Sequence, residues 1–328
     1  MFCQSVSTPH SLKKMYNLIA ADLVKLVRPL PPRSRNYNLL TFATGMFAIM
    51  LAACGQNSIA TGGPSTELPT PIQVTPTTPP PVAIVNGDEI PGDIYQIHLN
   101  QYYAAQADSG TLLASKGVEQ IVLDDLIARQ LLAQGARAGG FVLDEAAVDQ
   151  RLSSVIDQAG GQEAFAAWLT AQGYTAEQFR RDLRVEIEAG WMRTQITDSV
   201  PTSTEQVEAR QILLPESFQA ERLLGQLEGG TPFEQVVANN DPQELGYLGW
   251  FPRGYLLQPK VEEAAFTLQP GEFSQVIETD LGFHLIEVLS RDPDRALSPQ
   301  ARLTLQMKAL ADWLEEQRAQ STIENLLP

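Results

Sequence analysis

Cysteine and histidine are nearly missing from this 328-residue chain, which has two of the first and three of the second. Two cysteines, Cys3 and Cys54, cannot build the disulfide framework that staples small exported domains. Three histidines, His10, His98 and His284, with so little cysteine do not make a metal site, and no motif implies an organic cofactor. Positive charge is short as well: 23 Lys and Arg stand against 39 Asp and Glu, a formal net charge of -16. No Lys/Arg cluster occurs after the first 35 residues. A chain of this sign repels nucleic acid, which is excluded as a partner. Apolar residues are not scarce, at 44%, so a core can be buried, and the length suggests about two domains.

The N-terminus reads as a targeting segment. Arg28, Arg33 and Arg35 form a basic flank, and residues 39–50 form an apolar stretch too short to span a bilayer comfortably. The stretch ends in "LAAC", residues 51–54, which resembles the bacterial lipobox, in which the cysteine is lipidated and becomes the new N-terminus. Residues 1–53 are then a signal peptide, and Cys54 anchors an extracytoplasmic protein to a membrane. Cleavage removes six basic residues and one acid, Asp22, leaving 17 basic and 38 acidic residues, about -21. Residues 54–81 are rich in Pro and Thr and carry a single charge, Glu67. Extended at about 3.1 Å per residue, such a tether holds the folded part up to roughly 80 Å from the bilayer.

From residue 82 the pattern changes. "VAIVNGDEI" reads as two short strands around Asn86-Gly87, the strongest short hairpin signal. Five helices follow, read from Asp93 and Asp144 as N-caps, a Thr175/Gln178 capping box, and stops at Gly139-Gly140, Gly160-Gly161 and Gly173. His98, between Ile97 and Leu99, reads as a boundary residue without a role. After Pro201 strands and helices alternate over about 90 residues, as in a small α+β domain, and residues 300–320 form a terminal amphipathic helix. His284 lies in "TDLGFHLIEVL", an alternating strand in which a lone histidine is most often a hydrogen-bonded core residue.

"EARQILL", "GGTPFEQVVANNDP", "LGYLGWFPRG", "VEEAAFTLQPGEFS" and "TDLGFHLIEV" stand in the order of the parvulin-type peptidylprolyl isomerase domain, which this part of the chain resembles. "VLDDLIARQLLAQGARAGG" and the helices after it look like the chaperone region of SurA/PrsA-type foldases, as does the terminal helix with "DWLEEQRA". The resemblance implies an α+β chain: a mostly helical chaperone domain at 82–200, an inserted parvulin-like domain at 201–292 with a small antiparallel sheet flanked by helices, and a helix in 293–328 packed back on the chaperone part. It implies binding of unfolded exported polypeptides and cis/trans isomerisation of X-Pro bonds in proline-containing peptides. The polar cluster would be His284, Asp241, Thr279 and Gln211. The proline cup would be lined by Leu248, Leu256 or Leu257, Val261 and Phe251. Gln211 departs from the family, which commonly has a histidine there, and Leu281 stands where Ser is usual. A non-catalytic holdase with a degenerate parvulin domain is therefore the alternative.

Cys54→Ser should release the protein from the membrane fraction or leave its precursor uncleaved, as read by fractionation and immunoblotting. A variant processed and sedimented like the parent would remove the lipid anchor.

Overall fold

The computed structural model describes residues 79–109, 115–240 and 246–327. The leader, Cys54 and most of the tether lie outside the described residues, as does Asp241. Among the described residues there are nine helices and two small antiparallel sheets, an α+β fold. No helix among them is long and apolar enough to cross a membrane.

Strands β1 (Ala83–Val85) and β2 (Asp88–Ile90) pair around Asn86 and Gly87, both at positive φ, as a two-residue turn of this handedness requires. Helices α1 (Gly92–Ser109), α2 (Ser115–Ala138), α3 (Glu145–Ala159), α4 (Gln162–Gln172) and α5 (Ala176–Asp198) follow. The boundaries of α3 and α5 are those the caps dictate, whereas Asp93, expected as the N-cap of α1, is the second residue of that helix and is bonded to Ile94 N, Gln178 and Arg181. Asp144 accepts from Ala147 N at 2.7 Å, and the Thr175/Gln178 box is closed in both directions. Val118, Val122, Leu123 and Leu126 of α2 are buried in one apolar cluster with Leu183 and Ala189 of α5.

Within this helical body sits a charged network. Arg129 of α2, nearly without solvent contact, bonds Asp182 at 3.0 Å and Glu186 at 3.2 Å, and Tyr174 donates to Asp182 at 2.6 Å. Burial alone would raise the Asp182 carboxyl; the Arg129 guanidinium, with bonds from His98 and Tyr174, overrides it and holds the carboxyl far below the usual range. His98 Nε2 lies 3.1 Å from Asp182. The residue expected to be idle at a boundary is thus a half-buried member of an ionic core. Nothing in the spacing of Ile97 and Leu99 discloses a partner 84 residues away.

The second sheet has the order β4-β3-β6-β5, with β3 (Ser203–Leu214), β4 (Tyr247–Pro252), β5 (Ile277–Thr279) and β6 (Gly282–Ala296). Helices α6 (Ser217–Glu228) and α7 (Phe233–Asn240) cover one face, where Leu223, Leu227, Val236 and Val237 meet Ile212, Leu214 and Leu285. Helix α8 (Pro259–Thr267) covers the other, with Val261, Ala265 and Phe266 against Val207, Ile286 and Val288.

Two features depart from the sequence reading. β6 continues through Arg291–Ala296, expected as loop, because these residues pair with 203–207, beside β4 at Gln206 and Val207 and as a two-stranded ribbon at Ser203 and Thr204. Pro293 is tolerated there because it falls where the register shifts and no ladder bond is required of it. The second is β7 (Ile323–Asn325), a three-residue strand too short to read from pattern, which adds to β1. Before it runs α9 (Pro299–Gln320), whose Leu310 and Leu314 lie in the apolar cluster of α2 and α5.

Leu297 N and Thr202 O, flanking the ribbon, are bonded at 2.9 Å. Replacing residues 203–296 by an Asn-Gly turn should therefore leave the helical body folded, with a cooperative melt followed by circular dichroism. Loss of that transition in a variant whose parent is stable would mean that the two parts fold as one.

Candidate functional site

Residues opposite each other in an antiparallel ladder share a face. His284 of β6 is opposite Leu213 of β3 and Ile277 of β5, which places its ring on the α8 side of the sheet. All four strands supply this face: Leu248 from β4, Gln211 from β3, His284 from β6 and Thr279 from β5. Gln211 is held by a bond from its N–H to Gly246 O at 2.8 Å. The approach requires glycine, since a Cβ at position 246 would lie 1.9 Å from Gln211 O, and φ there is +62°.

His284 is 2% exposed and bonded at both ring nitrogens. Gln211 Oε1 lies 3.1 Å from Nδ1, and an amide oxygen only accepts, so Nδ1 carries a proton. Nε2 is 2.8 Å from Thr279 Oγ1. Burial pushes the imidazole below its ordinary pKa, so it is neutral near pH 7 and Nε2 accepts from the Thr279 hydroxyl. That hydroxyl is fixed in turn by the Leu281 N–H, donated at 3.1 Å. The result is a neutral histidine oriented by two uncharged side chains in a dry setting.

Of the residues assigned to the apolar cup, Leu248 and Leu256 are half-buried and pack against the α8-face cluster. Leu257 is 45% exposed and is not among the residues packed against that cluster. Phe251 and Val261 need correction: at 0% and 2% exposure they are core residues beneath the cup and offer a ligand no surface. An alternating strand and a short amphipathic helix tell that these residues face inward, but not how deep they lie.

Sequence reasoning missed Glu262. Its carboxylate, in the first turn of α8, accepts from the N–H groups of Gly254, Tyr255 and Leu256 at 2.7, 2.9 and 3.0 Å. Glu262 and Glu263 are adjacent and chemically alike, so nothing in the sequence singles one out. A separate cavity of about 560 Å³ lies in the helical body beside β2, α2 and α5, lined in part by Asp88, Ile90, Leu126, Arg129, Arg181 and Asp182. Its arginines, Arg129, Arg137 and Arg181, are committed to ion pairs with Asp182, Asp88 and Asp93, and the strand beside it belongs to the other sheet from the one that carries His284. Among the described residues no group of three or more His, Cys, Asp or Glu is gathered as metal ligands would be.

Residues 33–193 match the family model of the SurA-like N-terminal domain, and residues 193–290 that of the PPIC-type PPIase domain. The helical body and the four-stranded sheet are thus matched in turn by these two domain models, and the chain is similar to proteins named SurA chaperone and PrsA foldase. It is 27% identical over 246 residues to the chaperone SurA of Alcanivorax borkumensis, covering 64% of this chain and 56% of that protein. It is 28% identical over 225 residues to the foldase protein PrsA of Caldanaerobacter subterraneus, covering 63% of this chain and 72% of that one. The chain thus spans little more than half the length of the SurA protein it matches. The crystal structure of PrsA from Bacillus anthracis overlaps 60% of this chain and 96% of its own, at 19% identity and a TM-score of 0.40.

The lowered pKa of His284 ties stability to pH. An unfolded histidine takes a proton near pH 6.5, whereas the folded one resists it, so the unfolded state binds more protons below that value. Stability should be complete above about pH 6.5 and fall as pH drops towards the depressed folded pKa. His284→Gln should flatten this part of the profile, measured as urea midpoints between about pH 7.5 and 5. A midpoint just as pH-dependent in the variant would assign the effect elsewhere.

Proposed function

We propose that this chain is an extracytoplasmic foldase, held to a membrane by lipid on Cys54. Its helical body, with α9 and β7 completing it, binds unfolded exported polypeptides. The inserted segment 201–292 isomerises X-Pro bonds within them. The observation that carries the reading is the buried, neutral His284, bracketed by Thr279 and Gln211 on the same face as Leu248 and Leu256.

The reaction asks little of a protein in covalent terms. Rotation about X-Pro faces a barrier of about 18–20 kcal/mol and takes tens to hundreds of seconds unaided. No bond is made or broken, and no proton need leave the enzyme. What lowers the barrier is a surrounding that suits the twisted amide, which has lost its resonance and much of its carbonyl polarity, better than the planar one. Leu248 and Leu256 would hold the proline ring, with Phe251 and Val261 as their support. His284, locked in one tautomer, gives the cup a polar wall without charge, and Asp241 joins that wall by resemblance.

Gln211 favours a second reading. An amide keeps the bond to His284 but does not titrate, and a holdase that uses the cup only to grip proline segments would need no more. Exchange NMR on a short Ala-Pro peptide separates the two. Acceleration by residues 82–328 should be measurable, and His284→Ala should lower it about tenfold, roughly 1.4 kcal/mol of transition-state stabilisation. Gln211→His should raise it by restoring the pair common in the family. No acceleration by the parent and none gained by Gln211→His leaves the holdase.

A further inference from the structure

We propose that Glu262 is a positioning residue for the proline cup, and that α9 of the helical body backs the same loop, so that the site is whole only when the terminal helix is seated. The proposal rests on the isomerase reading above and deepens it.

The loop between β4 and α8 carries Leu256, one wall of the cup. Three of its consecutive N–H groups, from Gly254 to Leu256, converge on the Glu262 carboxylate, which uses both oxygens. Bonds from N–H to a charged acceptor are about twice as strong as neutral ones, and the α8 N-terminus further favours the negative charge. This loop therefore has a fixed shape although it belongs to no ladder. The Arg253 guanidinium, 4.2 Å from the centre of the Phe266 ring, pins the residue before it.

The outer side of the loop rests on α9. At Gly254, where φ is +83°, a Cβ would come within 3.2 Å of Lys308 Cδ and 3.3 Å of Leu305 Cδ2. The Lys308 side chain is itself steadied by Asp312 at 2.8 Å. Leu310 and Leu314 of this helix are buried with α2 and α5. One helix thus has a flank in the helical core and another against the loop that shapes the cup. A shift of α9 is felt at Leu256 through Gly254, without passing through the ribbon.

The test uses the full folded chain, with amide exchange by NMR read beside peptide kinetics. Glu262→Gln offers an NH2 group where three donors point. Amide exchange at Gly254, Tyr255 and Leu256 should quicken by about tenfold or more. KM for the Ala-Pro peptide should rise severalfold while kcat stays within about twofold, because the His284 bonds are untouched. Glu262→Asp, which keeps the charge, should recover part of the protection. Leu305→Ala should move both readouts in the same direction by less, with His284 resonances unchanged. Unaltered exchange at all three amides in Glu262→Gln overturns the role of Glu262, as does a fall in kcat at constant KM. Wild-type exchange and KM in Leu305→Ala overturn the role of α9. If the parent fails to accelerate isomerisation, the isomerase reading falls by itself. The positioning role is then judged by the same amide exchange and by the Kd of the peptide, which must weaken in Glu262→Gln.

Discussion

The ladder between β3 and β6 is the interaction on which the rest of the molecule depends. It starts where the helical body ends, with Ser203 opposite Ala296, and runs to Leu214 opposite Phe283. Along the way it serves first as a free ribbon, then as the centre of a four-stranded sheet, then as the floor of the site. Because side chains alternate between faces, one register decides that Ile212, Leu214 and Leu285 meet α6 and α7 while Gln211 and His284 meet the α8 side. A slip of one residue would bury the polar pair under two helices and turn the leucines towards the cup. Two register shifts in this ladder, at Thr204/Gln206 and Glu208/Ala209, fall towards the ribbon, and the pairing from Ala209 to Leu214 is regular.

How much of this could be read from sequence follows from the range of each interaction. The Asn86-Gly87 turn, the Thr175/Gln178 box and the glycine stops act within a few residues, so they stood plainly in the chain. The strand that carries His284 was legible from its alternation, and the face it takes came only from the register with β3 and β5. What escaped was long-range or a matter of depth. β7 is three residues that mean nothing until β1 is beside them, and the strand through Pro293 exists because its partner supplies the pattern. His98 gains its bonds from residues on α2 and α5. Phe251 and Val261 were expected to line a ligand-facing surface, and their burial puts them in the core instead.

Charge is arranged with the same economy of partners. The chain after the leader is acidic, and several of its arginines are taken up in specific pairs: Arg129 with Asp182 and Glu186, Arg137 with Asp88 and Glu188, Arg210 with Glu287. Such pairs contribute little net stability where they are exposed, and the buried one is as much a constraint on register as a gain. The acids left over keep the surface negative, which opposes self-association.

The pairing of β7 with β1 sets an order of events. Ala83 lies opposite Asn325, so the first strand of the helical body cannot be completed until nearly the whole folded sequence has been delivered. A chain that emerges N-terminus first would carry β1 and β2 as an unfinished edge while everything between is made. The segment between Ser203 and Ala296 forms its ladders within itself and needs nothing beyond Ala296 to complete them. The helical body has the contacts that span the longest sequence distance, and the part of its apolar cluster that takes Leu310 and Leu314 stays uncovered until α9 is made.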